Sequence, residues 1–393
     1  MKVALVAEWL DAWRGGAETS TLQFMHHLMD AGVEIHLFTR SRPSPIPRTH
    51  VHTISGARMS RTRRSVTFAR RVERRLEADS FDIIHAISPC RGADIYQPRG
   101  GTIAETVERN LALRKPGAAR SLKRCANHFN LKQRYMLALE RQLLGNGDGP
   151  MVVAISDYGT RQLKRHYGLA DERIHKIFNG VNPDPATDDE RARNRAEVRK
   201  TYDVGDGDLL VLLVAHNFRL KGVACWMEAL AGLERAGAGG VRTLVVGKGE
   251  SVRWHRLADR LGVASKLTFV GPSERTQAFR HAADVFVHPT YYDPCSRVVL
   301  EAMAAGLPTI TTQWDGAAEM ITDGESGFVL SDPDDIAALM DRVNQLRDPA
   351  RRVAIGTAAR KAMAHGTMAR HTSQMLELYE SLAGSHRKAG GTL

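Results

Sequence analysis

Two acidic residues, Asp293 and Glu301, stand eight positions apart in a segment that otherwise predicts a strand, a loop and a helix. The strand ends at His288-Pro289, and the helix is predicted to begin near Ser296. Asp293 then lies in the loop and Glu301 on the second helical turn. One carboxylate can accept hydrogen bonds from sugar hydroxyls and the other from ribose hydroxyls, while amides at the helix start favour a diphosphate between them. Two acids alone would more often be solvated surface residues, but the surrounding pattern favours a binding site.

Two basic residues follow another predicted strand. In the stretch LLVLLVAHNFRLKG (209–222) the strand ends at Ala215, and Arg219 and Lys221 come before the next helix. Cations at the carboxyl end of a parallel strand are well placed for a diphosphate, and arginine can bind it with two hydrogen bonds. Lys248, in the glycine loop after the next strand, is a further candidate. A solvated basic turn is the alternative reading of Arg219 and Lys221.

The first strand is followed by a glycine pair. Trp13-Arg14-Gly15-Gly16-Ala17-Glu18 leads into a predicted helix, and glycines let backbone amides approach an anion closely. A glycine pair is common in loops without any such role. It is not the Gly-x-Gly-x-x-Gly pattern of dinucleotide sites, which argues against a dehydrogenase.

These three segments together resemble glycosyltransferase family 4, a retaining, metal-independent group with the GT-B fold and a Glu-x7-Glu motif. The resemblance covers most of the chain and is sharpest from residue 151 onward; within the family, the lipopolysaccharide-core glucosyltransferases look most similar. It implies that Asp293, which replaces the first Glu, binds donor-sugar hydroxyls and that Glu301 binds the ribose. Ser296 stands where a glycine often begins the helix.

The resemblance also implies roles for the other two segments. Lys221 matches the Lys of a Lys-Gly pair that neutralises the leaving diphosphate, whereas the accompanying arginine usually stands near Ala215, so Arg219 would substitute for it. Lys248 lies in a loop that resembles the family's next glycine loop. Gly15, Gly16 and Glu18 match a Gly-Gly-x-Glu loop that lines the cleft near donor phosphate and acceptor.

An acceptor-binding region is expected in ADIYQPRGGT (93–102). Arg99, followed by two glycines, could engage an anionic acceptor, and Asp94 could accept hydrogen bonds from its hydroxyls. His85, one strand end earlier, favours a structural role.

Positive charge is concentrated in two segments. Of the net charge of +11, residues 58–75 contribute +7 and residues 109–134 contribute +8, which leaves 11 − 15 = −4 for the rest of the chain. Such a charge run can be simply a solvated face, but this imbalance favours an anionic membrane surface or a phosphate-bearing glycolipid. A nucleic-acid-binding protein is the alternative from another class, and the aromatic content of 6% argues against it.

The elements that must position these residues alternate between apolar, β-branched strands and helix-length amphipathic stretches, which predicts two Rossmann-like α/β domains with parallel sheets facing a central cleft. The predicted strands are Lys2–Ala7, Glu34–Thr39, Val51–Ile54, Asp82–Ala86, Met151–Ile155, Leu209–Ala215, Thr243–Val246, Leu267–Val270, Val285–His288 and Thr309–Thr312. We place the N-terminal acceptor domain at residues 1–183 and the donor domain at 184–367. The C-terminal helix, within 368–393, is expected to pack back toward the first domain.

The expected function is retaining transfer of a hexose from a nucleotide-diphosphate sugar, with a UDP-sugar as the favoured donor, to a glycan or glycolipid in cell-envelope synthesis. Neither a metal nor a cofactor is expected, and a nucleotide-sugar epimerase of the same fold is the alternative enzyme. Four dispersed cysteines without a CxxC pair argue against a disulfide framework or a zinc site, and Glu8 interrupts any signal-peptide core. These features predict a cytoplasmic protein, peripheral on the inner face of the membrane if the basic segments bind lipid.

Overall fold

A computed structural model describes residues 1–11, 15–41, 46–54, 61–114, 117–145, 147–249 and 251–390. The chain forms two compact units, one of Met1–Gly180 with Met368–Leu393 and the other of Val181–Thr367. The chain therefore passes from the first unit to the second three residues before the predicted boundary and returns at residue 368. Within the described residues no helix combines the length and the apolar character that crossing a bilayer requires.

Unit 1 contains a seven-stranded parallel sheet with the order β3-β2-β1-β4-β5-β6-β7. Its strands are β1 (Lys2–Val6), β2 (Glu34–Thr39), β3 (Thr49–Thr53), β4 (Ile83–Ala86), β5 (Ile95–Tyr96), β6 (Met151–Ala154) and β7 (Ile174–Lys176). Its helices are α1 (Gly16–Asp30), α2 (Arg61–Glu77), α3 (Ile103–Ala112), α4 (Ala118–His128), α5 (Leu131–Gly145), α6 (Asp157–Tyr167) and, after unit 2, α14 (Met368–Gly390).

Both faces of this sheet are covered, as a buried parallel sheet requires. Successive residues of β1 alternate between two hydrophobic clusters, with Val3 and Leu5 in one and Ala4 and Val6 in the other. The first cluster includes side chains of α1 and α14, and the second includes side chains of α2. The C-terminal helix thus packs on unit 1.

Unit 2 contains a six-stranded parallel sheet with the order β10-β9-β8-β11-β12-β13. Its strands are β8 (Leu209–Val214), β9 (Val241–Val246), β10 (Leu267–Gly271), β11 (Val285–Val287), β12 (Thr309–Thr312) and β13 (Phe328–Leu330). Its helices are α7 (Asp188–Thr201), α8 (Val223–Arg235), α9 (Val252–Leu261), α10 (Thr276–Ala282), α11 (Arg297–Ala304), α12 (Ile336–Gln345) and α13 (Pro349–Ala362).

All ten predicted strands are present, and the prediction of two parallel-sheet Rossmann-like units is confirmed. Three short strands, β5, β7 and β13, were not predicted. They have two or three residues each, too few for an apolar period to be recognised.

Candidate functional site

The order in which the chain adds strands to the sheet of unit 2 reverses between β8 and β11. These strands are neighbours, yet the chain continues from β8 to β9 on one side and from β11 to β12 on the other. The loops that leave the carboxyl ends of β8 and β11 therefore diverge and open a crevice, which is where ligands bind in open α/β sheets. The β8 loop carries Arg219 and Lys221, and the β11 loop carries Asp293.

An ion pair between Lys221 and Asp293 joins these two loops. Lys221 Nζ lies 2.5 Å from Asp293 Oδ2 and also donates to the carbonyl oxygen of Tyr292 at 3.2 Å. Both side chains are 18% exposed. A cation and a sugar-binding acid predicted from separate motifs are thus in direct contact.

Backbone packing fixes this contact. Gly222, directly after Lys221, has φ +67°, and a Cβ there would lie 1.9 Å from the carbonyl oxygen of Pro289. The Tyr291 amide donates to the carbonyl oxygen of Leu220 at 2.9 Å. Only glycine allows the two loops to approach so closely at this point.

Further positive charge surrounds the crevice. The pKa of His216 is lowered by desolvation and by the positive charges of Lys248 and Lys221, so both ammonium groups act on the same imidazole. Lys248 is exposed and follows β9 after Gly247, where a Cβ would meet the Ala215 carbonyl oxygen at 2.0 Å. Arg219 is half-buried in the turn between β8 and α8.

Asp315 is a buried acid that the sequence analysis did not single out. Its Oδ1 accepts the amides of Ser296 and Ala317, each at 2.9 Å, and its Oδ2 accepts the Thr311 hydroxyl at 2.9 Å. Burial, and then the charge of Asp293, raise the pKa of Asp315 to about 7. The Ser296 amide, expected to face a diphosphate, is therefore bonded to Asp315.

The remaining amides at the start of α11 differ from that of Ser296. The first intrahelical bond runs from the Leu300 amide to the Ser296 carbonyl oxygen, so the amides of Val298 and Val299 have no acceptor within the helix. These two amides and the helix dipole make this end of α11 favourable to an anion, and diphosphate binding there stays a prediction.

His288, at the end of β11, is a second residue of the crevice that the sequence analysis treated only as a strand end. Its Nε2 lies 3.3 Å from the Ser296 hydroxyl and 4.0 Å from Asp293 Oδ2. Burial and the charge of Lys221 hold the pKa of His288 well below its ordinary value. The imidazole is therefore neutral at physiological pH and can bind the Ser296 hydroxyl.

Glu301 projects from α11 between two arginines. Its Oε1 accepts Arg297 Nε at 2.7 Å, and its Oε2 accepts Arg280 Nη1 at 2.9 Å. All three side chains are 16% exposed or less. The i, i+4 spacing of Arg297 and Glu301 is typical of an ion pair on a helix. No sequence pattern indicates the contact with Arg280, which comes from α10.

In unit 1 the predicted glycine loop leads into α1. Gly15 is the residue before the helix, and its carbonyl oxygen accepts the amide of Thr19 at 3.2 Å. Gly16 and Glu18 are in the first turn, where an acid is favourable to the dipole. The predicted Trp13 and Arg14 lie outside the described residues.

The structure argues against the predicted acceptor roles of Arg99 and Asp94. Arg99 is 3% exposed, and its guanidinium donates to Gln97 Oε1 at 2.8 Å and to the Ser20 hydroxyl at 2.7 Å and lies 2.7 Å from His371 Nε2. It therefore ties α14 to α1 in the interior. Asp94 precedes β5 and accepts the Ile84 amide at 2.7 Å, at the amino edge of the sheet, opposite the edge where α/β ligands bind.

The structural interpretation of His85 agrees with its surroundings. Its Nδ1 lies 2.6 Å from the Tyr379 hydroxyl of α14, and the side chain is fully buried. Burial and the charge of Arg99 lower its pKa to about 3.

Two family models match consecutive parts of the chain. "Glycosyltransferase Family 4" matches residues 14–185 and "Glycosyl transferases group 1" matches residues 194–362. The lipopolysaccharide glucosyltransferase WaaG of Escherichia coli K12 is 25% identical over 373 residues, which cover 93% of this chain and 92% of that protein. The matches follow the two units closely.

Solved structures show the same fold. A crystal structure of WaaG, described as a glycosyltransferase involved in lipopolysaccharide biosynthesis, superposes with a TM-score of 0.80 at 21% identity, covering 96% of this chain and 99% of that one. The Anabaena protein HepE, in complex with UDP and glucose, superposes with a TM-score of 0.70 at 17% identity, covering 97% and 100%. The GT-B prediction is confirmed.

Proposed function

The chain belongs to the group 1 and family 4 glycosyltransferases, and on this basis we propose that it transfers a hexose, with retention, from a nucleotide-diphosphate sugar to a glycan or glycolipid of the cell envelope. The observation that carries the proposal is the Lys221–Asp293 pair at the switch point of unit 2, with Glu301 eight residues further on. UDP-hexose is the favoured donor, because HepE was solved with UDP and glucose and WaaG is named a glucosyltransferase.

In the proposed complex, the sugar, the ribose and the diphosphate of the donor each have a partner in unit 2. Asp293 accepts hydrogen bonds from the sugar hydroxyls, and Glu301, held by Arg280 and Arg297, accepts those of the ribose. Lys221 leaves Asp293 for the diphosphate, which Arg219, Lys248 and the first turn of α11 also attract. Charge stabilisation by fixed cations and amides performs the task that a metal performs in other transferases. We therefore propose that no metal is needed and that a chelator leaves turnover unchanged.

The reaction breaks the bond between the anomeric carbon and the diphosphate oxygen, and the electron pair leaves with the nucleoside diphosphate. The acceptor hydroxyl oxygen forms the new bond on the same face, and its proton passes to the departing diphosphate. We assign the acceptor to unit 1, where the Gly15–Glu18 loop follows β1, next to β4 at the corresponding switch point of that sheet.

Exposed apolar and basic side chains of unit 1 support the assignment of a lipid-linked acceptor. On and after α4, Leu122, Phe129 and Leu131 are 74%, 81% and 65% exposed, and Arg124 and Arg134 are exposed among them. We name this region the α4–α5 surface. Exposed apolar side chains among cations match the interface of an anionic bilayer, to which each basic residue contributes about 1 kcal/mol. The protein would then work on the cytoplasmic face of the membrane.

The donor assignment is tested by thermal stabilisation with UDP-, GDP- and ADP-sugars. A donor at 100 times its dissociation constant adds about 2.7 kcal/mol to the free energy of unfolding. We expect one nucleotide to stabilise the wild type and E301A to lose that effect, whereas E319A, which changes an acid of the same unit outside the crevice contacts described above, keeps it.

Three results would contradict the proposal. If no donor stabilises the protein, or if the donor stabilises E301A as much as the wild type, the assigned donor site is wrong. Conversion of the donor sugar without any acceptor would instead favour the epimerase, because an epimerase needs no acceptor.

A further inference from the structure

A row of histidines lies on the edge of the unit 1 sheet, away from every residue assigned above. Glu34 and His36 are two positions apart on β2, and His50 and His52 are two positions apart on β3, the edge strand. His36 is paired in register with His50. Because side chains alternate between the faces of a sheet, all four lie on one face.

The spacing of their donor atoms suits a transition metal ion. One atom each from Glu34, His36 and His50 lie within 4.8 Å of one another. Glu34 Oε1 is 2.9 Å from His36 Nε2 and 3.8 Å from His50 Nε2. Two ligands about 2.1 Å from a tetrahedral zinc ion are about 3.4 Å apart, which lies between these two distances. Small side-chain rotations therefore bring the three atoms onto one ion.

The second ring nitrogen of His36 has the partner that a metal-binding histidine requires. His36 Nδ1 lies 3.0 Å from His52 Nε2, which leaves His36 Nε2 directed toward Glu34. A hydrogen bond at the other nitrogen fixes the tautomer and ring orientation of a metal ligand. His36 is also restrained by the edge of the Phe81 ring, 5.3 Å away between centroids.

We propose that Glu34, His36 and His50 bind one Zn²⁺ ion, or another borderline transition metal ion, with water as the fourth ligand. Imidazole nitrogens and one carboxylate select such ions over Mg²⁺ and Ca²⁺, which prefer all-oxygen sites. The ion joins the edge strand β3 to β2, away from the residues assigned to the transfer reaction.

The second acidic–histidine cluster of the described residues is a weaker candidate. Glu105, Glu108 and His166 also lie within reach of one ion. However, Glu105 already accepts Arg109 Nε at 2.7 Å, and Arg165 lies 3.6 Å from its other oxygen. Two guanidinium groups repel a dication and occupy the carboxylate.

The charges around the proposed site set its pH dependence. Lys2 acts on Glu34, and Arg75 and Asp79 act on His52. The ligands His36 and His50 must be neutral to bind the ion, so protons compete with it. Binding should weaken as the pH falls from 7.5 to 5.5.

The test is calorimetric titration of the tag-free, chelator-treated protein with Zn²⁺ at pH 7.5, with Mg²⁺ as the control ion. We expect one saturable site per chain for Zn²⁺ and a higher melting temperature. H50A should weaken binding at least about tenfold, because losing a ligand costs no less than losing a second-shell partner. The His50 side chain is 62% exposed, so H50A should remain folded.

Matched variants make the result decisive. H26A removes an exposed imidazole of α1 and should bind like the wild type, and E34Q should weaken binding as H50A does. No saturable binding below roughly 100 µM Zn²⁺ would overturn the proposal. Binding that H50A leaves intact, or that only H166A removes, would overturn it as well.

Discussion

The Lys221–Asp293 ion pair gives the sharpest prediction, because Lys221 must leave Asp293 for the diphosphate when the donor binds. Replacing Lys221 with Met retains much of the apolar stem and removes the charge. The Lys221 side chain is 18% exposed, and its Nζ lies 2.5 Å from Asp293 Oδ2. A phosphate oxygen can replace this carboxylate oxygen at about 3 Å from Nζ. Two unit charges at that distance interact by about 5.5 kcal/mol at an effective dielectric constant of 20.

Only part of that energy accelerates the reaction. If about half a unit of negative charge builds on the departing diphosphate in the transition state, Lys221 contributes about 2.8 kcal/mol, or about 100-fold in turnover. This agrees with the loss of about 10²–10³ when one donor is removed from an oxyanion site. K221M should therefore lower kcat about 100-fold.

The assay is nucleotide release from the donor that the stabilisation screen identifies, with the folded fraction measured alongside. K221M leaves the largely buried Asp293 carboxylate without its cation, which should cost about 1–3 kcal/mol of unfolding free energy. K221R keeps the charge and should retain at least a tenth of the wild-type rate. K248M removes an exposed, solvent-screened charge and should lose less than tenfold. A folded K221M within threefold of the wild type would refute the proposed role.

Two further predictions concern the acid behind the crevice and the membrane. The raised pKa of Asp315 contributes fully to the free energy of unfolding below the ordinary carboxyl pKa, where the group is protonated in both states. This contribution is lost as the pH rises through the folded pKa of about 7. D315N should therefore flatten the fall in unfolding free energy between pH 5 and 8, a fall of at most about 2.7 kcal/mol, measured by urea denaturation; an unchanged slope would contradict this. The double variant L122Q/F129Q should lose binding to vesicles containing anionic lipid, whereas V353Q, at a valine of unit 2 that is 69% exposed, should not. Equal sedimentation of both variants with the vesicles would exclude the α4–α5 surface.

The fold was predictable because its strands are long apolar runs. All six residues of β8 are buried, and such a run has one interpretation in a chain where strands and helices alternate. The edges were less predictable. β7 (Ile174–Lys176) has two exposed residues out of three, so its hydrogen-bonded position in the sheet leaves little hydrophobic trace.

The candidate site residues were predictable where a local motif marks them, and their contacts with distant residues were not. Asp293 and Glu301 share one loop and helix, so their spacing carries the information. Asp315 acts on the Ser296 amide 19 positions away through a fold of two loops, which no local pattern reveals. The acceptor role predicted for Arg99 also depended on a distant contact that no local pattern shows, because its buried partner His371 is 272 positions away.

The paired charges of the resting crevice also predict which ligands it should prefer. A nucleoside diphosphate without a sugar draws Lys221 away but supplies no hydroxyl to Asp293, whose largely buried carboxylate would lose its cation. A nucleotide sugar replaces both partners at once, because its diphosphate takes the ammonium group and its hydroxyls take the carboxylate.

This reasoning gives an expectation for D293A. Hydrogen bonds to a charged group contribute about 1.5–3 kcal/mol, so the wild type should bind the nucleotide sugar about 10–100-fold more tightly than the bare nucleoside diphosphate. D293A should lose that preference and bind the nucleoside diphosphate at least as tightly as the wild type does, because Lys221 is then already available to it. Calorimetry with both ligands measures the two affinities. If D293A weakens the nucleoside diphosphate as much as the nucleotide sugar, Asp293 organises the loop and does not recognise the sugar.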